Sequence, residues 1–264
     1  MKRISLFLFS VFLMAGTLCA QDIQTLTKKA EAGDTNAQTA LAKKYMQGNE
    51  VEQDYNKAMD LYFKAALKGN AEAQYCLGLI TATGQKYDEA LRWYTMAAKQ
   101  NYPNAQHDLA MLYQLGLGVT KDEAQAFEWY EKAAKQGYVK AQYEVAMMYY
   151  TGHGTKQNKK KALEFFHKAA AGGNDKAQYL LAIMYRDGED VKQDNSKAIQ
   201  YFEQAGENGV VEAQLQLGKM YMLGSGVTTN YQKAAYWFGK AAENNNALAQ
   251  HILSVMYEEG KGVA

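Results

Sequence analysis

The residues of this sequence that could support chemistry are four histidines, two cysteines and a few serines. His153 stands between two glycines in the segment AQYEVAMMYYTGHGT, residues 141 to 155, where a turn could present it as a base or a metal ligand. A zinc site needs several such side chains at short spacing, and the chain contains no His-x-x-x-His or Cys-x-x-Cys pair. We therefore expect no metal site and no cofactor from the four histidines: His107, His153, His167 and His251.

The composition favours a helical protein whose partner is not a polyanion. Lys and Arg total 29 against 28 Asp and Glu, so a formal net charge of +1 supplies no broad basic field for nucleic acid or a membrane surface. Pro103 is the single proline of 264 residues, which is typical of long helices without proline-rich linkers. The sequence therefore predicts an all-α fold and no nucleic-acid partner.

The first twenty residues, MKRISLFLFSVFLMAGTLCA, have the pattern of a secretory signal peptide. Two basic residues precede an apolar run from about Ile4 to Met14, and small residues follow it. That run is shorter than the roughly 20 residues of a membrane span, so we expect cleavage before Gln21 and a periplasmic or secreted protein. Lipid attachment at Cys19 is the alternative. After cleavage Cys76 is the one remaining cysteine, so no intrachain disulfide is expected.

One period organises the rest of the chain. The dipeptide Ala-Gln recurs with a spacing of 36 residues, reduced to 32 once, and its glutamines are Gln38, Gln74, Gln106, Gln142, Gln178, Gln214 and Gln250. Counted from each glutamine, a leucine or valine follows at offset three, a small residue at offset four, tyrosine at offset seven in all copies but one, and glycine at offset ten. Offsets zero, three, four and seven share one face of an α-helix. Each copy therefore opens with an amphipathic helix, here called helix A, which ends at the glycine.

A second helix, here called helix B, follows a short turn in each copy. It carries an alanine, then an aromatic pair or near-pair, then an Ala-Ala step in most copies, and it closes at a glycine or asparagine such as Gly137 or Asn245. A helix pair of this size cannot bury its apolar face alone, so stacking on neighbouring pairs is required. The period therefore predicts an α/α superhelical solenoid of stacked antiparallel helix pairs.

These residues resemble the Sel-one-like repeat (SLR), a relative of the tetratricopeptide repeat. Its pattern, A-x-A-Q-x-x-L-G-x-x-Y-x-x-G-x-G-V-x-x-D-x-x-K-A-x-x-W-x-x-K-A-A-x-x-G, is met almost completely by AQHDLAMLYQLGLGVTKDEAQAFEWYEKAAKQG, residues 105 to 137. We expect residues 1–20 to be the signal peptide and 21–264 the array, with full repeats starting near 36, 72, 104, 140, 176 and 212. The resemblance implies a scaffold or adaptor that binds other proteins, with the concave surface as the usual binding face.

Two departures from the repeat pattern affect the expected assembly. The second copy is four residues short and has Thr81 in place of the tyrosine, so a tighter loop is expected there. Half-repeats at 22–34 and 248–264 end the array, and the last of them leaves an apolar helix face without a following helix B. That face is a candidate surface for self-association.

A hydrolase of the β-lactamase or cell-wall type is the alternative function, because such activities have been described for some cysteine-rich relatives. That chemistry asks for a Ser-x-x-Lys motif, and none of the serines has lysine three residues later. The G-x-G turns follow helices and lack the Lys-Ser/Thr of a phosphate loop. A non-enzymatic protein is therefore the expected reading.

Binding is expected on a second stripe of helix A, formed by offsets one, five and eight, which we call the helix-A stripe. These positions vary between copies, and aromatic, Met and Arg side chains are enriched at protein interfaces. Packing of one helix A on the next is the alternative for offsets one and five, and offset eight is the position expected to be exposed. The predicted residues for a protein or peptide partner are Tyr75, His107, Gln114, Tyr143, Met147, Tyr150, Tyr179 and Arg186.

Overall fold

The computed structural model describes residues 22–263. The predicted signal peptide, its cleavage site and Cys19 lie outside this range. Within it, every regular element is a helix and no strand occurs. The all-α prediction is confirmed.

Helices A and B alternate along the chain. Helix α1 covers residues 22–31 and corresponds to a helix B. The helices A are α2 (Thr35–Gln47), α4 (Ala71–Thr83), α6 (Pro103–Leu115), α8 (Val139–Thr151), α10 (Asp175–Asp187), α12 (Val211–Leu223) and α14 (Ala247–Glu258). The helices B are α3 (Tyr55–Leu67), α5 (Tyr87–Lys99), α7 (Glu123–Lys135), α9 (Lys159–Ala171), α11 (Asn195–Glu207) and α13 (Tyr231–Glu243).

The described chain forms two compact units, one ending at Gln136 and the other beginning at Gly137. In each unit, consecutive helices pack on one another in chain order. Each unit is therefore a stack of antiparallel helix pairs, which is the predicted α/α superhelical solenoid class.

The helix ends follow from the residues at the turns. Most helices A end at a glycine in the left-handed region, the conformation that residues with a Cβ rarely adopt: Gly48, Gly116, Gly152, Gly188 and Gly224. The short second copy differs, because Gly84 has φ −78° and the positive φ falls on Gln85. Most helices B begin at a carboxylate or amide that accepts a backbone N–H three residues later, as Asp54 does from Lys57.

The core of each pair is one helix-B ring set against a small helix-A residue. Tyr94, Phe166, Phe202 and Phe238 are fully buried. A Cβ added at Gly78 would lie 2.4 Å from the Tyr94 ring, so the small residue at offset four is what admits the ring. Burying such a ring contributes about 1.5–3 kcal/mol.

The repeated glutamine is buried and links three successive helices. Gln106 is fully buried, and its Nε2 donates to the carbonyl of Ala98 in the preceding helix B at 3.1 Å. Its Oε1 accepts from Nε2 of Gln136, at the end of its own repeat's helix B, at 2.7 Å. The bond to the preceding helix B recurs from Gln38, Gln74, Gln178, Gln214 and Gln250. In the copies of Gln74, Gln106, Gln178 and Gln214 the glutamine therefore ties helix A to the helices before and after it.

Replacing Gln106 with leucine is expected to lower the free energy of unfolding by about 1–3 kcal/mol, because the buried carbonyl of Ala98 loses its hydrogen bond to Gln106 and the partly buried bond from Gln136 is also lost. Urea unfolding followed by circular dichroism measures the change. The control is Gln250→Leu, which removes the same type of bond where the glutamine is exposed. Equal losses in the two variants would contradict the structural role assigned to the buried glutamine.

Candidate functional site

The four histidines lie in separate environments. His107 Nδ1 is 2.7 Å from a carboxylate oxygen of Asp108, His153 lies on an exposed turn, and His251 lies on α14. Residues 22–263 hold no group of three or more His, Cys, Asp or Glu side chains placed to bind a metal ion. His153 occupies a loop position that varies between copies, so the Gly-His-Gly turn provides a helix end and assembles no set of reactive groups.

His167 is half-buried between two tyrosine hydroxyls. Its Nδ1 lies 2.9 Å from the hydroxyl of Tyr201, and its Nε2 lies 3.3 Å from the hydroxyl of Tyr185. Burial lowers the pKa of His167, and the nearby ammonium of Lys197 lowers it further. A neutral imidazole has one donor and one acceptor nitrogen and so satisfies both hydroxyls, whereas the doubly protonated ring has no acceptor.

The offset-one residues of the helix-A stripe contact the buried ring of their own repeat. Ring centroids of Tyr143 and Phe166 are 6.2 Å apart, and those of Tyr179 and Phe202 are 5.8 Å apart. His107 makes an edge contact of the same kind with Tyr130, at 5.3 Å. These residues therefore pack between helices A and B while each keeps a partly exposed surface.

Tyr75 belongs to the same class. Its ring lies 5.9 Å from that of Tyr94 and 5.2 Å from that of Tyr102, the residue preceding α6. Met147, at offset five of α8, is also partly exposed.

The offset-eight residues reach the same rings. Gln114 accepts a hydrogen bond from the Tyr130 hydroxyl at 2.9 Å, and the Tyr150 ring lies 6.2 Å from Phe166. Arg186 lies 6.0 Å from the Phe202 ring centroid. All three predicted contact residues are only partly exposed, while the offset-five residues Leu79 and Met111 are 39% and 38% exposed. In the copy of Gln114, offset five is therefore the more exposed position, because Gln114 bonds to the Tyr130 hydroxyl. At Tyr150 and Arg186 the two positions do not differ in this way, since Met147 and Ile183 are also partly exposed.

The electrostatic partners of Arg186 are local. Its Nε and Nη2 donate to the two carboxylate oxygens of Asp187 at 2.7 and 2.8 Å, and its Nη1 donates to Gln216 at 3.1 Å. A bidentate pair of this kind holds the guanidinium in place. A partner would therefore contact only the exposed edge of the Arg186 guanidinium, whose charge is already paired with Asp187.

Within the second unit, two of the predicted tyrosines line one cavity. Tyr143 and Tyr179 line a space of about 640 Å³ together with Asp175, Lys176 and Glu212. Asp175 and Glu212 are exposed and form no ion pair with any residue in the range 22–263. Burial raises the pKa of both tyrosines, and Asp175 and Glu212 add to the effect on Tyr143 and Tyr179 respectively.

Sequence reasoning did not identify the two carboxylates. They stand in the first turns of α10 and α12, where charged residues usually serve the helix terminus. Their position at the start of helix A is the signal that could have found them, since Asp175 and Glu212 lie three and two residues before the repeated glutamine.

The family follows from a match to the whole array. The Sel1 repeat model matches seven consecutive segments, residues 35–70, 71–102, 103–138, 139–174, 175–210, 211–246 and 247–264. The chain belongs to the Sel1 repeat family.

Solved structures of Sel1-type proteins have the same fold. The structure of c5321, a protective antigen of uropathogenic Escherichia coli displaying an SLR fold, is 35% identical with a TM-score of 0.85, covering 90% of this chain and 52% of that one. A Sel1 repeat protein from Oxalobacter formigenes is 34% identical with a TM-score of 0.82, covering 92% of this chain and 75% of that one. These neighbours support the solenoid class and leave the partner open.

Curated relatives of this Sel1 repeat chain are regulators by name. Chitin synthase regulatory factor 4 of Schizosaccharomyces pombe is 34% identical over 84 residues, and chitin synthase regulator SKT5 of Saccharomyces cerevisiae is 34% identical over 100 residues. The matches cover 31% and 35% of this chain but only 13% and 14% of those proteins.

No helix between residues 22 and 263 is long and apolar enough to cross a bilayer.

The His167 contacts predict pH-dependent stability of this Sel1 repeat unit. Because the pKa of His167 is lower in the folded chain than in the unfolded one, the unfolded chain binds more protons below about pH 6.5. The stabilisation is fully present above that pH and is lost as the pH falls toward the folded-state pKa. His167→Gln should therefore lose less stability than the wild type between pH 7 and pH 5, measured by urea unfolding at each pH.

The control for this experiment is His153→Gln on the exposed turn. It should keep the wild-type pH profile. If His167→Gln also keeps that profile, His167 is not the residue responsible.

Proposed function

We propose that the chain is an exported, non-enzymatic adaptor that binds a protein or peptide through the helix-A stripe, on the face that the repeat resemblance assigns as concave. The Sel1 repeats and the regulators among the relatives support a role in protein interaction. The N-terminal sequence supports export. The observation that carries the binding site is the cavity shared by Tyr143 and Tyr179.

The chemistry of this cavity fits a positively charged side chain of the partner. Two tyrosine side chains, which attract cations, line the cavity, and Asp175 and Glu212 supply two carboxylates against the single ammonium of Lys176. A lysine or arginine of an extended partner segment would meet both kinds of group. Leu180 and Val211 also line the cavity and would contact the apolar stem of such a side chain.

Charge reversal at the cavity is expected to abolish partner capture. Asp175 and Glu212 are exposed, so Asp175→Lys with Glu212→Lys should leave the core intact while repelling a cationic side chain. Affinity capture from the native cell, followed by quantitative mass spectrometry, should show at least a tenfold loss of the protein that the wild type enriches most. The matched control is Glu243→Lys, an exposed charge on a helix B.

Two results would contradict the proposal. One is unchanged capture by the double variant, which would show that the partner does not bind at this cavity. The other is turnover of a chromogenic β-lactam that a single point mutation abolishes, which would favour the hydrolase alternative.

We also propose that α14 supports self-association through a second copy of the chain. Tyr257 is 58% exposed, whereas the equivalent Tyr149, Tyr185 and Tyr221 are buried under their own helix B. A neighbouring cavity of about 380 Å³ is lined mainly by apolar side chains, among them Ile252 and Val255. Exposed apolar surface of this kind is typical of association sites.

Light scattering at increasing protein concentration tests this second proposal. The wild type should form a concentration-dependent dimer, and Tyr257→Lys should shift it to monomer because a charge cannot be buried in an apolar interface at low cost. Tyr236→Ala, which removes another exposed tyrosine, is the control and should behave as the wild type does. A wild-type protein that stays monomeric at all concentrations would contradict the proposal of self-association.

A further inference from the structure

The exposed surface of α3 and α5 carries an apolar group that the other repeats lack. Phe63, Leu67 and Met96 are 49%, 66% and 43% exposed. The Phe63 and Trp93 rings touch edge to face, with centroids 5.9 Å apart. Leu67 lies one turn after Phe63 and Met96 one turn after Trp93. We call these four residues the α3/α5 patch.

The repeat register shows that the patch departs from the frame. Where Met96 stands, the other copies have Lys64, Lys132, Lys168, Gln204 and Lys240. Where Leu67 stands, they have Lys99, Lys135, Ala171, Glu207 and Glu243. Apolar side chains at these two exposed positions do not serve the core, because the other copies pack without them.

In other repeats the lysine at the Met96 position lies over the neighbouring helix-B ring. Lys132 Nζ is 3.9 Å from the Trp129 ring centroid, and Lys168 Nζ is 4.9 Å from that of Phe165. These lysines place a solvated ammonium over the ring. At Trp93 the equivalent residue is Met96, so the ring edge and the flexible thioether remain open to an apolar partner.

The charge beside the patch also changes. An acid four residues before the lysine forms an ion pair in other copies, as between Asp60 and Lys64 at 2.6 Å and between Glu164 and Lys168 at 2.7 Å. Arg92 replaces that acid in the second copy. Arg92 and Lys99 are exposed and form no ion pair with any described residue. The patch is therefore apolar with cations one turn before and one turn after Met96.

We propose that the α3/α5 patch is a second docking site, which binds an amphipathic helix of a partner protein whose apolar stripe is flanked by Asp or Glu. Two neighbouring helices present a shallow groove into which the ridge of a third helix packs. Residues at spacing i, i+3, i+4 and i+7 of that helix would cover Phe63, Leu67 and Met96. Its flanking carboxylates would pair with Arg92 and Lys99.

The test uses an 18-residue synthetic helix with Leu at positions i, i+3, i+4 and i+7 along one face and Glu at the positions beside that face. A matched peptide has Lys in place of each Glu. Fluorescence anisotropy of the labelled peptides measures binding to the full chain. The Glu-flanked peptide should bind at least tenfold more tightly than the Lys-flanked one, and its affinity should fall as salt rises because exposed ion pairs are screened.

The decisive variant is Leu67→Ala with Met96→Gln, which removes the apolar surface and leaves the charge unchanged. Both substitutions install residues that other copies carry at the same positions, so the fold should be kept, and circular dichroism checks this. Binding of the Glu-flanked peptide should weaken at least tenfold. Lys135→Ala, at the position equivalent to Leu67 in the third copy, is the matched control and should leave the affinity unchanged.

Three results would overturn the proposal: no saturable binding of the Glu-flanked peptide, equal affinity for the two peptides, or full affinity in the double variant. Vesicles of phosphatidylglycerol and phosphatidylcholine provide a separate arm. Vesicle binding that the double variant loses would assign the patch to a lipid surface and would also overturn the proposal.

Discussion

The buried glutamine hydrogen bond is the constraint on which each repeat depends. A helix leaves its last carbonyls without intrahelical partners, and in a stacked array those groups are partly covered by the next helix. Gln74 reaches back to the carbonyl of Ala66 and accepts from Gln100 ahead, so one side chain satisfies groups on three helices. Leucine would fill the same space but would leave the buried carbonyl of Ala66 without a partner, a cost that favours glutamine at this position of the buried copies.

The first pair shows what happens when that arrangement is incomplete. Lys68 stands where Gln100, Gln136, Asn208 and Asn244 stand in other copies, and its Nζ bonds to the carbonyl of Gly33 instead. Gln38 Oε1 is consequently buried without a hydrogen-bond partner among residues 22–263. The repeat frame therefore tolerates the loss of one acceptor bond, provided that the donor bond to Ala30 remains.

The period predicted the helices, their glycine ends and the fold class, because these depend on residues close in sequence. Gly116 ends α6 as its position requires, whereas the shortened loop of the second copy moved the positive φ from Gly84 to Gln85. Contacts between distant residues were not predicted. The imidazole of His167 hydrogen-bonds to a tyrosine 34 residues away. The Gln114 side chain, at offset eight, accepts from the hydroxyl of the ring on helix B, a contact that depends on how helices A and B pack.

Departures from the repeat frame carry more information about binding than the frame itself. Consensus residues such as Gln106 and Leu109 are buried between helices, so they do not contact a partner and cannot distinguish one partner from another. A residue that differs from its equivalents and is also exposed has no packing role to explain it. Met96 and Leu67 meet both conditions, and Asp175 and Glu212 meet the second beside a shared cavity. In a chain built from near-identical copies, the other copies serve as internal references, and specificity must lie where one copy differs from the rest.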